Sequence, residues 1–296
     1  MMSLRQREQR QAWVLLAPML LVMLLLTAWP LLRTIWLSFT DAALIGSSGT
    51  APGWIGVENY LYALTDEDFR TSLWRTLYFT VVSVAVEGII GVLVALLLNQ
   101  QFAGRSLLRV LVILPWALPT IVNAMMWRLN FNPDYGSVNA LLTQTGLIDH
   151  YRSWLGSPDS ALNAVMFADV WKNYPLVTLL VLAALQSIPE DLYEAARLDG
   201  ASAWRRFRAI TFPAIAGALS VALVLRTIDA FKIFDIIYVM TRGGPGAATD
   251  LVSIYVQRVG FKVFDLGLAS AQAILLLIFT IVLSRLYIRI FYREIE

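Results

Sequence analysis

Residues 187–213 read SIPEDLYEAARLDGASAWRRFRAITFP and lie between two long apolar runs. Ser187 begins the Ser-x-x-Glu spacing of a capping box, which predicts the start of a helix. Gly200 predicts the end of that helix, because glycine accepts the left-handed conformation that closes helices. Ser202 predicts the cap of a second short helix, and Pro213 predicts the first turn of the next apolar helix. The stretch is therefore interpreted as a helix, a tight turn and a second helix between two membrane spans.

The two flanking runs belong to a series of six. Hydrophobic residues make up 58% of the 296-residue chain, charged residues make up 15%, and the mean hydropathy is +0.65. Soluble globular proteins carry about 25% charged residues, whereas a run of about 20 apolar residues crosses a bilayer. We therefore expect an all-α membrane protein with six transmembrane helices in one domain, residues 13–292. The predicted spans are residues 13–39, 74–98, 107–129, 161–185, 214–240 and 266–292.

Basic residues in the connections predict the orientation of the chain. One set of connections is rich in arginine, whereas the opposite loops, residues 40–73, 130–160 and 241–265, contain few basic residues. Cytoplasmic loops of membrane proteins carry an excess of Arg and Lys, so both termini, residues 1–12 and 293–296, are predicted to be cytoplasmic. The arginine-rich connections contain Arg5, Arg7, Arg10, Arg105, Arg109, Arg197, Arg205, Arg206, Arg208, Arg289 and Arg293.

Composition argues against most kinds of chemistry. The chain has no cysteine, its single histidine is His150, and it lacks the Gly-x-x-x-x-Gly-Lys-[Ser/Thr] phosphate loop. Its arginines are scattered rather than gathered into a nucleic-acid patch. The sequence therefore predicts no catalytic residue, no metal site, no cofactor held by this chain and no nucleic-acid partner.

Prolines interrupt several of the apolar runs, at Pro18, Pro30, Pro115, Pro119 and Pro175. A proline inside a helix removes a backbone hydrogen bond and kinks or breaks the helix. Inside a membrane the freed backbone is tolerated where protein or a water-filled cavity satisfies it, which favours a transport pathway. Proline is also common in ordinary membrane helices, so both interpretations stay open at this point.

The helix pair after Ser187 carries apolar side chains among its charges. Such an exposed element suits docking into the groove of a partner protein. An amphipathic segment that lies on the membrane surface has the same pattern, and physical reasoning alone leaves both open. The apolar residues are Leu192, Tyr193, Leu198, Trp204 and Phe207.

The same loop resembles the EAA signature of permease subunits of binding-protein-dependent ABC importers. The matching positions are Glu194-Ala195-Ala196, Gly200, Ile210 and Pro213, and Phe212 stands where the signature usually has leucine. The resemblance extends over nearly the whole chain, especially to the carbohydrate branch that includes maltose, trehalose and glycerol-phosphate permeases. Further matching stretches are residues 54–60, 114–119, 136–139, 185–189, 199–201 and 243–245.

This resemblance implies a type I ABC importer permease fold in which residues 187–212 form a cytoplasmic coupling helix. That helix sits on an ATP-hydrolysing subunit and transmits its closure to the spans. For Glu194 a merely solvated position remains the alternative. The residues that the resemblance assigns to coupling are Glu194, Ala195, Ala196, Asp199, Gly200, Ile210 and Pro213.

The resemblance also implies the partners and the location of the chain. We expect a second, homologous permease subunit, two ABC ATPase subunits that bind ATP and Mg, and a periplasmic or lipid-anchored sugar-binding protein. The chain itself would be a non-catalytic subunit in the bacterial cytoplasmic (inner) membrane, surrounded by lipid. Its expected function is translocation of a sugar, a disaccharide or a sugar derivative, by alternating access.

Ionisable residues occur inside two predicted spans. Arg226, Asp229, Lys232 and Asp235 follow one another at i, i+3 spacing in the fifth span, and Asp169 lies in the fourth. Each such group costs about 2.5–3.5 kcal/mol near the bilayer centre, so this face is predicted to avoid lipid. A polar cavity for a hydroxyl-rich solute explains the charges. The alternative is that Arg226–Asp229 and Asp229–Lys232 are buried ion pairs that fix helix packing, and the two interpretations are compatible.

In the maltose permease the corresponding two spans contact the sugar, so the resemblance implies a substrate pathway here. Several of these positions are more charged than that pattern, which leaves the identity of the sugar open. The implied pathway residues are Trp171, Lys172, Asn173, Leu176, Arg226, Asp229, Ala230 and Ile233.

Two other functions compete with an ATP-driven importer. A secondary transporter driven by an ion gradient is favoured by Glu87, Asp229 and Asp235 in or near the bilayer. It leaves the capped loop unexplained, and six spans without a detectable internal repeat are few for that class. An intramembrane enzyme lacks a constellation of catalytic groups, because His150 lies in a predicted outer loop.

Overall fold

A computed structural model describes residues 4–45 and 52–292, so the predicted C-terminal segment 293–296 and the first three residues lie outside the described residues. The described chain is helical, apart from isolated bridges between Thr40 and Trp54 and between Ala43 and Asp265. Its α-helices are α1 (Leu4–Met23), α2 (Trp29–Leu37), α3 (Glu58–Thr65), α4 (Glu67–Asn99), α5 (Arg105–Ala117), α6 (Thr120–Asn130), α7 (Ser137–Gln144), α8 (Pro158–Gln186), α9 (Glu190–Leu198), α10 (Ala203–Arg206), α11 (Phe212–Phe231), α12 (Asp235–Met240), α13 (Val252–Arg258) and α14 (Leu266–Tyr292). Three π-helical turns join or extend them, at Leu24–Ala28, Phe207–Thr211 and Val259–Val263.

Five helical segments among the described residues are long and apolar enough to cross a membrane, and a bent pair of helices makes a sixth if it counts as one span. These findings agree with the expected all-α membrane protein. The five segments are Ala12–Leu37, Glu67–Asn99, Pro158–Gln186, Ala203–Phe231 and Leu266–Leu286.

The bent pair is α5 and α6, which meet at 98° where a single span, residues 107–129, was expected. Leu118 is extended at the bend, with ψ 137°, because a residue before proline is forced out of the helical region. Pro119 then occupies the N-cap of α6, and it has no backbone N–H with which to continue α5. The residues expected to form the third span therefore form two helices that meet at Leu118 and Pro119.

The fifth span also differs from the expected residues 214–240. A continuous helical segment runs from Ala203 to Phe231, so the loop enters the span without a gap. The helix then ends, and α12 begins only at Asp235. The hydroxyl of Ser253 donates a hydrogen bond to the carbonyl oxygen of Ile233, which satisfies a backbone group that the break releases.

Two of the π turns precede prolines. Pro30 and Pro213 each lie two residues beyond the end of a π turn, at the start of α2 and α11. A proline cannot donate to the carbonyl four residues before it and its ring crowds that carbonyl. A wider turn at this point relieves the crowding, so both helices continue past their prolines.

The described residues form two compact units. The first falls within Met1–Glu67 and Val256–Leu277, and the second within Asp68–Tyr255 and Ile278–Glu296. In the first unit, the Nδ2 of Asn59 donates to the carbonyl oxygens of Ser38 (3.1 Å) and Thr40 (2.9 Å). These bonds fix α3 against the residues that follow α2.

The second unit contains the core that positions the candidate site. Side chains of α4, α8 and α11 meet in it, and its buried apolar residues form two clusters. The first cluster includes Phe79, Ala124, Phe131, Val165, Ile236 and Leu251. The second includes Ala95, Leu98, Val177, Val181, Ile215 and Ala222. On α4 and on α8, the residues of the first cluster precede those of the second along the helix.

Two glycines of α4 permit close packing in this unit. A Cβ atom on Gly91 would lie 2.6 Å from the Cβ of Val177 on α8, and one on Gly88 would lie 3.1 Å from a methyl carbon of Leu223 on α11. Small residues at such positions let membrane helices approach closely, because no side chain separates the backbones. The core of the unit therefore depends on glycine at these contacts.

Candidate functional site

The loop after α8 folds into the predicted helix and turn. α9 begins with two acidic residues and has Arg197 in its last turn, which suits the helix dipole at both ends. Gly200 has φ +72°, its N–H donates to the carbonyl of Arg197 (3.0 Å), and the N–H of Ala201 donates to the carbonyl of Ala196 (2.9 Å). This pair of bonds is the Schellman pattern, so the glycine prediction is confirmed.

The caps of the two helices follow the prediction only in part. The expected capping box is not formed, because Pro189 occupies the N-cap position and Ser187 lies directly after α8. The hydroxyl of Ser187 donates back to the carbonyl of Ala184 (2.8 Å) and closes the preceding helix. Ser202 does cap α10, because its side chain accepts from the N–H of Arg205 (3.3 Å).

A side-chain contact fixes α9 to the base of α11. The hydroxyl groups of Tyr193 and Thr211 lie 2.9 Å apart and share a hydrogen bond, and Thr211 is buried. α10 continues through the π turn into α11, so the second helix of the pair is the beginning of the fifth span rather than a separate element. The helix pair is thus held to the fifth span by the continuous backbone from α10 to α11 and by the hydrogen bond between Tyr193 and Thr211.

The residues assigned to coupling occupy the accessible side of this pair. Ala196 and Ile210 are partly buried, and the others, Glu194, Ala195, Asp199, Gly200 and Pro213, are exposed. Three large apolar side chains are also exposed in the single chain: Leu192 (50%), Leu198 (89%) and Trp204 (70%). This combination of apolar and charged groups forms a surface suited to burial against another protein or against lipid.

The charges inside the spans meet in a buried network. Arg226 donates from Nε to one carboxylate oxygen of Glu87 (2.7 Å) and from Nη2 to the other (3.0 Å). The same Nη2 also donates to Asp169 (3.0 Å). All three residues are buried, in α11, α4 and α8 respectively. One guanidinium group therefore joins three helices through charge-assisted hydrogen bonds.

The remaining oxygen of Asp169 is also used. Asn173, one turn further along α8, donates from Nδ2 to that carboxylate (2.7 Å) and to the Asp169 carbonyl (3.0 Å). A buried ion pair is stable only when its hydrogen-bonding groups find partners, and here both carboxylates have them. Arg226, Asp169 and Asn173 consequently act as one rigid polar cluster with Glu87.

Neither of the two buried ion pairs suggested within the fifth span is present in that form. Arg226 is paired with Glu87 and Asp169, not with Asp229. Asp229 and Lys232 do form an ion pair (3.1 Å), but their side chains are 52% and 62% exposed in the single chain. Asp235, expected on the same helix, lies beyond the break and begins α12.

The proposed pathway residues fall into three groups by accessibility. Asn173, Arg226 and Ala230 are buried, whereas Trp171, Lys172, Leu176 and Ile233 are partly buried and Asp229 is exposed. Trp171 packs edge-on against Trp127 of α6 (5.6 Å), which also meets Phe167 edge-on (4.9 Å). An aromatic wall from α6 and α8 thus lies beside the polar residues of α8.

Glu87 did not belong to the set of candidate site residues, although it was noted as an ionisable group near the bilayer. A glutamate inside the apolar run 74–98 signals a buried partner, but its partner lies 139 residues further along the chain. Among residues 4–45 and 52–292, no group of three or more His, Asp or Glu side chains is arranged to hold a metal ion.

Comparisons with known proteins place these features in context. The profile of the family described as binding-protein-dependent transport system inner membrane component matches residues 87–296. The trehalose/maltose transport system permease protein MalF of Thermococcus litoralis is 42% identical over 97% of this chain and 96% of that protein. The trehalose transport system permease protein SugA of Mycobacterium tuberculosis is 37% identical over 97% of this chain and 90% of that protein.

A solved structure shares the fold. It is the crystal structure of a bacterial ABC transporter involved in the import of the acidic polysaccharide alginate. One of its chains superposes with a TM-score of 0.83 at 23% sequence identity, covering 98% of this chain and 99% of that chain.

Proposed function

Because this chain belongs to the family of binding-protein-dependent transport system inner membrane components, we propose that it forms half of the pathway by which an ATP-driven importer moves a sugar across the bacterial cytoplasmic membrane. Its fold is that of type I ABC importer permeases, and it is a multi-pass membrane protein. The observation that carries the proposal is the exposed helix pair closed at Gly200 and joined without a gap to the fifth span.

The helix pair is the proposed contact with the ATPase. Exposed Leu198 and Trp204 supply apolar area that a partner groove buries, and Glu194 and Ala195 lie on the accessible side of α9. The Schellman turn at Gly200 and the Tyr193–Thr211 hydrogen bond make this element stiff. A stiff element transmits the movement of a partner better than a flexible one. ATP and Mg are bound by two ATPase subunits, and this chain performs no bond chemistry.

The pathway is proposed to run past α8 and α11. Trp171, Lys172, Leu176, Asp229 and Ile233 keep accessible surface there, and sugars bind to such mixtures of aromatic faces and polar groups. Buried Asn173, Arg226 and Ala230 act on the pathway by holding the two helices in place. A second, homologous permease subunit supplies the opposite wall, and a periplasmic or lipid-anchored binding protein delivers the sugar.

The proposed substrate is a disaccharide or a sugar derivative. Two relatives of high coverage are named for trehalose or for trehalose and maltose, which supports the disaccharide. The additional charged residues near the pathway are also compatible with a charged sugar derivative. Import proceeds by alternating access, with the arginine-rich loops and both termini in the cytoplasm.

The ion-gradient alternative requires a carboxylate that is free to exchange a proton or an ion with the pathway. Glu87, the buried carboxylate that favoured this alternative, accepts two hydrogen bonds from Arg226. It therefore holds α4 to α11 and is not free for such an exchange.

The test is purification of the tagged chain from its native membrane in a mild detergent, followed by mass spectrometry of the polypeptides that remain bound. We expect an ATPase with a phosphate loop and a second permease. Lipid vesicles that contain the purified complex and are supplied with its binding protein should accumulate trehalose or maltose only when ATP is enclosed in the vesicles. A chain that purifies alone and drives uptake from an ion gradient would refute the proposal.

A further inference from the structure

A cavity of about 840 Å³ with a mixed polar and apolar lining lies where the helix pair meets the ends of α4, α5 and α8. Three arginines from different elements line it: Arg105 at the start of α5, Arg197 at the end of α9 and Arg206 in α10. The carboxylate of Glu190 is the acidic group in the lining. With all four groups ionised, the lining has a net charge of about +2, by the usual protonation states at neutral pH.

The three guanidinium groups have donors to spare. Arg105 and Arg206 each donate one long hydrogen bond to a backbone carbonyl (3.4 Å). In the part of the chain that the structure describes, no ion pair within 4.0 Å holds any of the three. A guanidinium group carries five N–H donors in a planar fork, so most of these donors remain available to a ligand.

The rest of the lining suits the organic part of an anion. Leu96, Leu185, Ile188 and Phe207 contribute apolar surface, and Asn99 and Gln186 contribute amides. The cavity is far larger than a single phosphate group requires. A ligand that fills it combines a compact anion with an apolar or hydroxylated remainder.

We propose that this cavity binds a phosphate monoester through Arg105, Arg197 and Arg206. A phosphate monoester carries about −1.5 to −2 charges at pH 7, which matches the charge of the lining. Its three terminal oxygens accept bidentate hydrogen bonds from arginine, whereas a carboxylate offers only two oxygens. The monoester belongs either to the headgroup of a phospholipid, with the acyl chains along the apolar lining, or to a soluble metabolite.

The bound ester would join segments that are distant in sequence. Arg105 follows α4, whereas Arg197 and Arg206 belong to the helix pair, so a shared ligand would fix the pair relative to the ends of α4 and α5. The consequence for transport, though not the binding itself, rests on the proposed function: occupancy would alter ATP-driven uptake by restraining the coupling element.

The experiment is isothermal titration of the intact purified complex with two probes that share the phosphate monoester. Dihexanoyl phosphatidic acid represents the lipid and glycerol 3-phosphate represents the soluble ester, while dihexanoyl phosphatidylcholine controls for the acyl chains. We expect one ester per copy of this chain. Arg105→Gln, Arg197→Gln and Arg206→Gln should each weaken binding about tenfold, because each removes a charge-assisted contact.

Arg208→Gln is the matched control, since Arg208 is exposed in the adjoining π turn and does not line the cavity. Its affinity for the ester should equal that of the unmodified complex. Tight binding of the lipid probe alone would identify the ligand as a phospholipid headgroup. Equal binding of both probes would show that the phosphate group itself is what the cavity recognises. Absence of binding, or equal affinity in all four variants, would overturn the proposal.

Uptake and subunit recovery are measured on the same preparations. Recovery of the ATPase tests the proposed function separately from ligand binding. If the ATPase is recovered and no probe binds, only the cavity proposal fails. If a probe binds through the three arginines and no ATPase is recovered, the cavity proposal stands and the importer proposal fails.

Discussion

Arg226 illustrates how a single charge in a membrane helix is accommodated. Its Nε and Nη2 groups reach both oxygens of Glu87 and one oxygen of Asp169, and all three residues are buried. Removing the cation from such a cluster leaves two carboxylates without a compensating charge in a medium of low dielectric constant. By contrast, the Asp229–Lys232 pair is open to solvent in the single chain.

Arg226→Gln should therefore destabilise the protein strongly, by about 3–5 kcal/mol, because two buried carboxylates lose their cation. The thermal unfolding midpoint of the purified complex measures the effect. Lys232→Gln, six residues away in sequence, is the matched control. It should cost no more than about 1 kcal/mol, as expected for an exposed pair. Equal losses in the two variants would show that the network does not hold the helices.

Asp229→Ala should impair transport more than assembly, because the Asp229 side chain is accessible and is not part of the buried network. The amount of complex in the membrane should match the unmodified protein while sugar uptake falls. Asp169→Ala should show the reverse balance, since it removes a buried carboxylate that accepts hydrogen bonds from both Arg226 and Asn173. Quantitative immunoblots and uptake of labelled trehalose or maltose separate the two. Loss of complex in Asp229→Ala would assign Asp229 a structural role.

The sequence predicts that Arg226 is buried with a partner, since a lone guanidinium facing lipid is too costly. It does not identify the partner. Asp229 is the nearest carboxylate in sequence and was the suggested partner. In the structure Arg226 instead donates to Glu87, which is 139 residues away in the sequence. Spacing along one helix reports which groups share a face, but pairing between helices depends on how the helices pack.

Helix ends could be predicted where a residue at the end itself determines the end. Gly200 adopts φ +72° and closes α9, and Ser202 caps α10, as their residue types indicate. The break after Phe231 was not predictable, because the residues from Lys232 to Phe234 include no proline or glycine. Its released carbonyl is satisfied by Ser253, a contact between distant segments.

Gly200→Asp tests the turn and its contact with the proposed ATPase. No atom of the described chain lies within 4 Å of a Cβ placed on Gly200, so the side chain meets no obstacle within this subunit. A residue other than glycine in the left-handed region costs about 1–2 kcal/mol. We expect the complex to remain in the membrane while uptake and transport-coupled ATP hydrolysis are lost.

Gly146→Asp is the matched control for that turn. Gly146 has φ +71°, and its Cβ position is equally open, but it lies in the predicted outer loop. It carries the same backbone strain and the same new charge, so it should leave uptake within about twofold of the unmodified protein, as expected for a surface change. Normal uptake by Gly200→Asp would remove the assignment of this turn to coupling.

Gly91→Ala should destabilise the core of the second unit by about 1–3 kcal/mol, because the added methyl group overlaps Val177 and α4 must move away from α8. Gly217→Ala provides the comparison, since nothing lies within 4 Å of its Cβ position and alanine favours helix. Thermal unfolding of the two complexes gives the difference. A midpoint for Gly91→Ala as high as that for Gly217→Ala would contradict the close packing of α4 on α8.

At the scale of the whole molecule, the apolar blocks predict the class of protein and the approximate number of spans. They do not predict the 98° bend between α5 and α6, although Pro119 marks its place. A hydropathy pattern reports how much apolar surface each segment carries, and a bent pair carries as much as a straight helix.

The orientation of the chain is open to a direct test, because the chain has no cysteine of its own. Asp191→Cys places a thiol on α9, and His150→Cys places one in the predicted outer loop, both at exposed positions. A membrane-impermeant maleimide added to spheroplasts should label His150→Cys and should label Asp191→Cys only after permeabilisation. The reverse pattern would place the helix pair outside the cytoplasm.

The unbroken helical segment from Ala203 to Phe231 has a mechanical consequence. At about 1.5 Å per residue it is a rod of about 42 Å, so a tilt of about 5° about its first turn displaces its far end by about 4 Å. The joint at Lys232 ends the rod there, and α12 packs against α6 beyond it. Under the proposed coupling role, a push on the loop moves the end of the rod that carries Arg226, and the hydrogen bonds of Arg226 transmit that movement to α4 and α8.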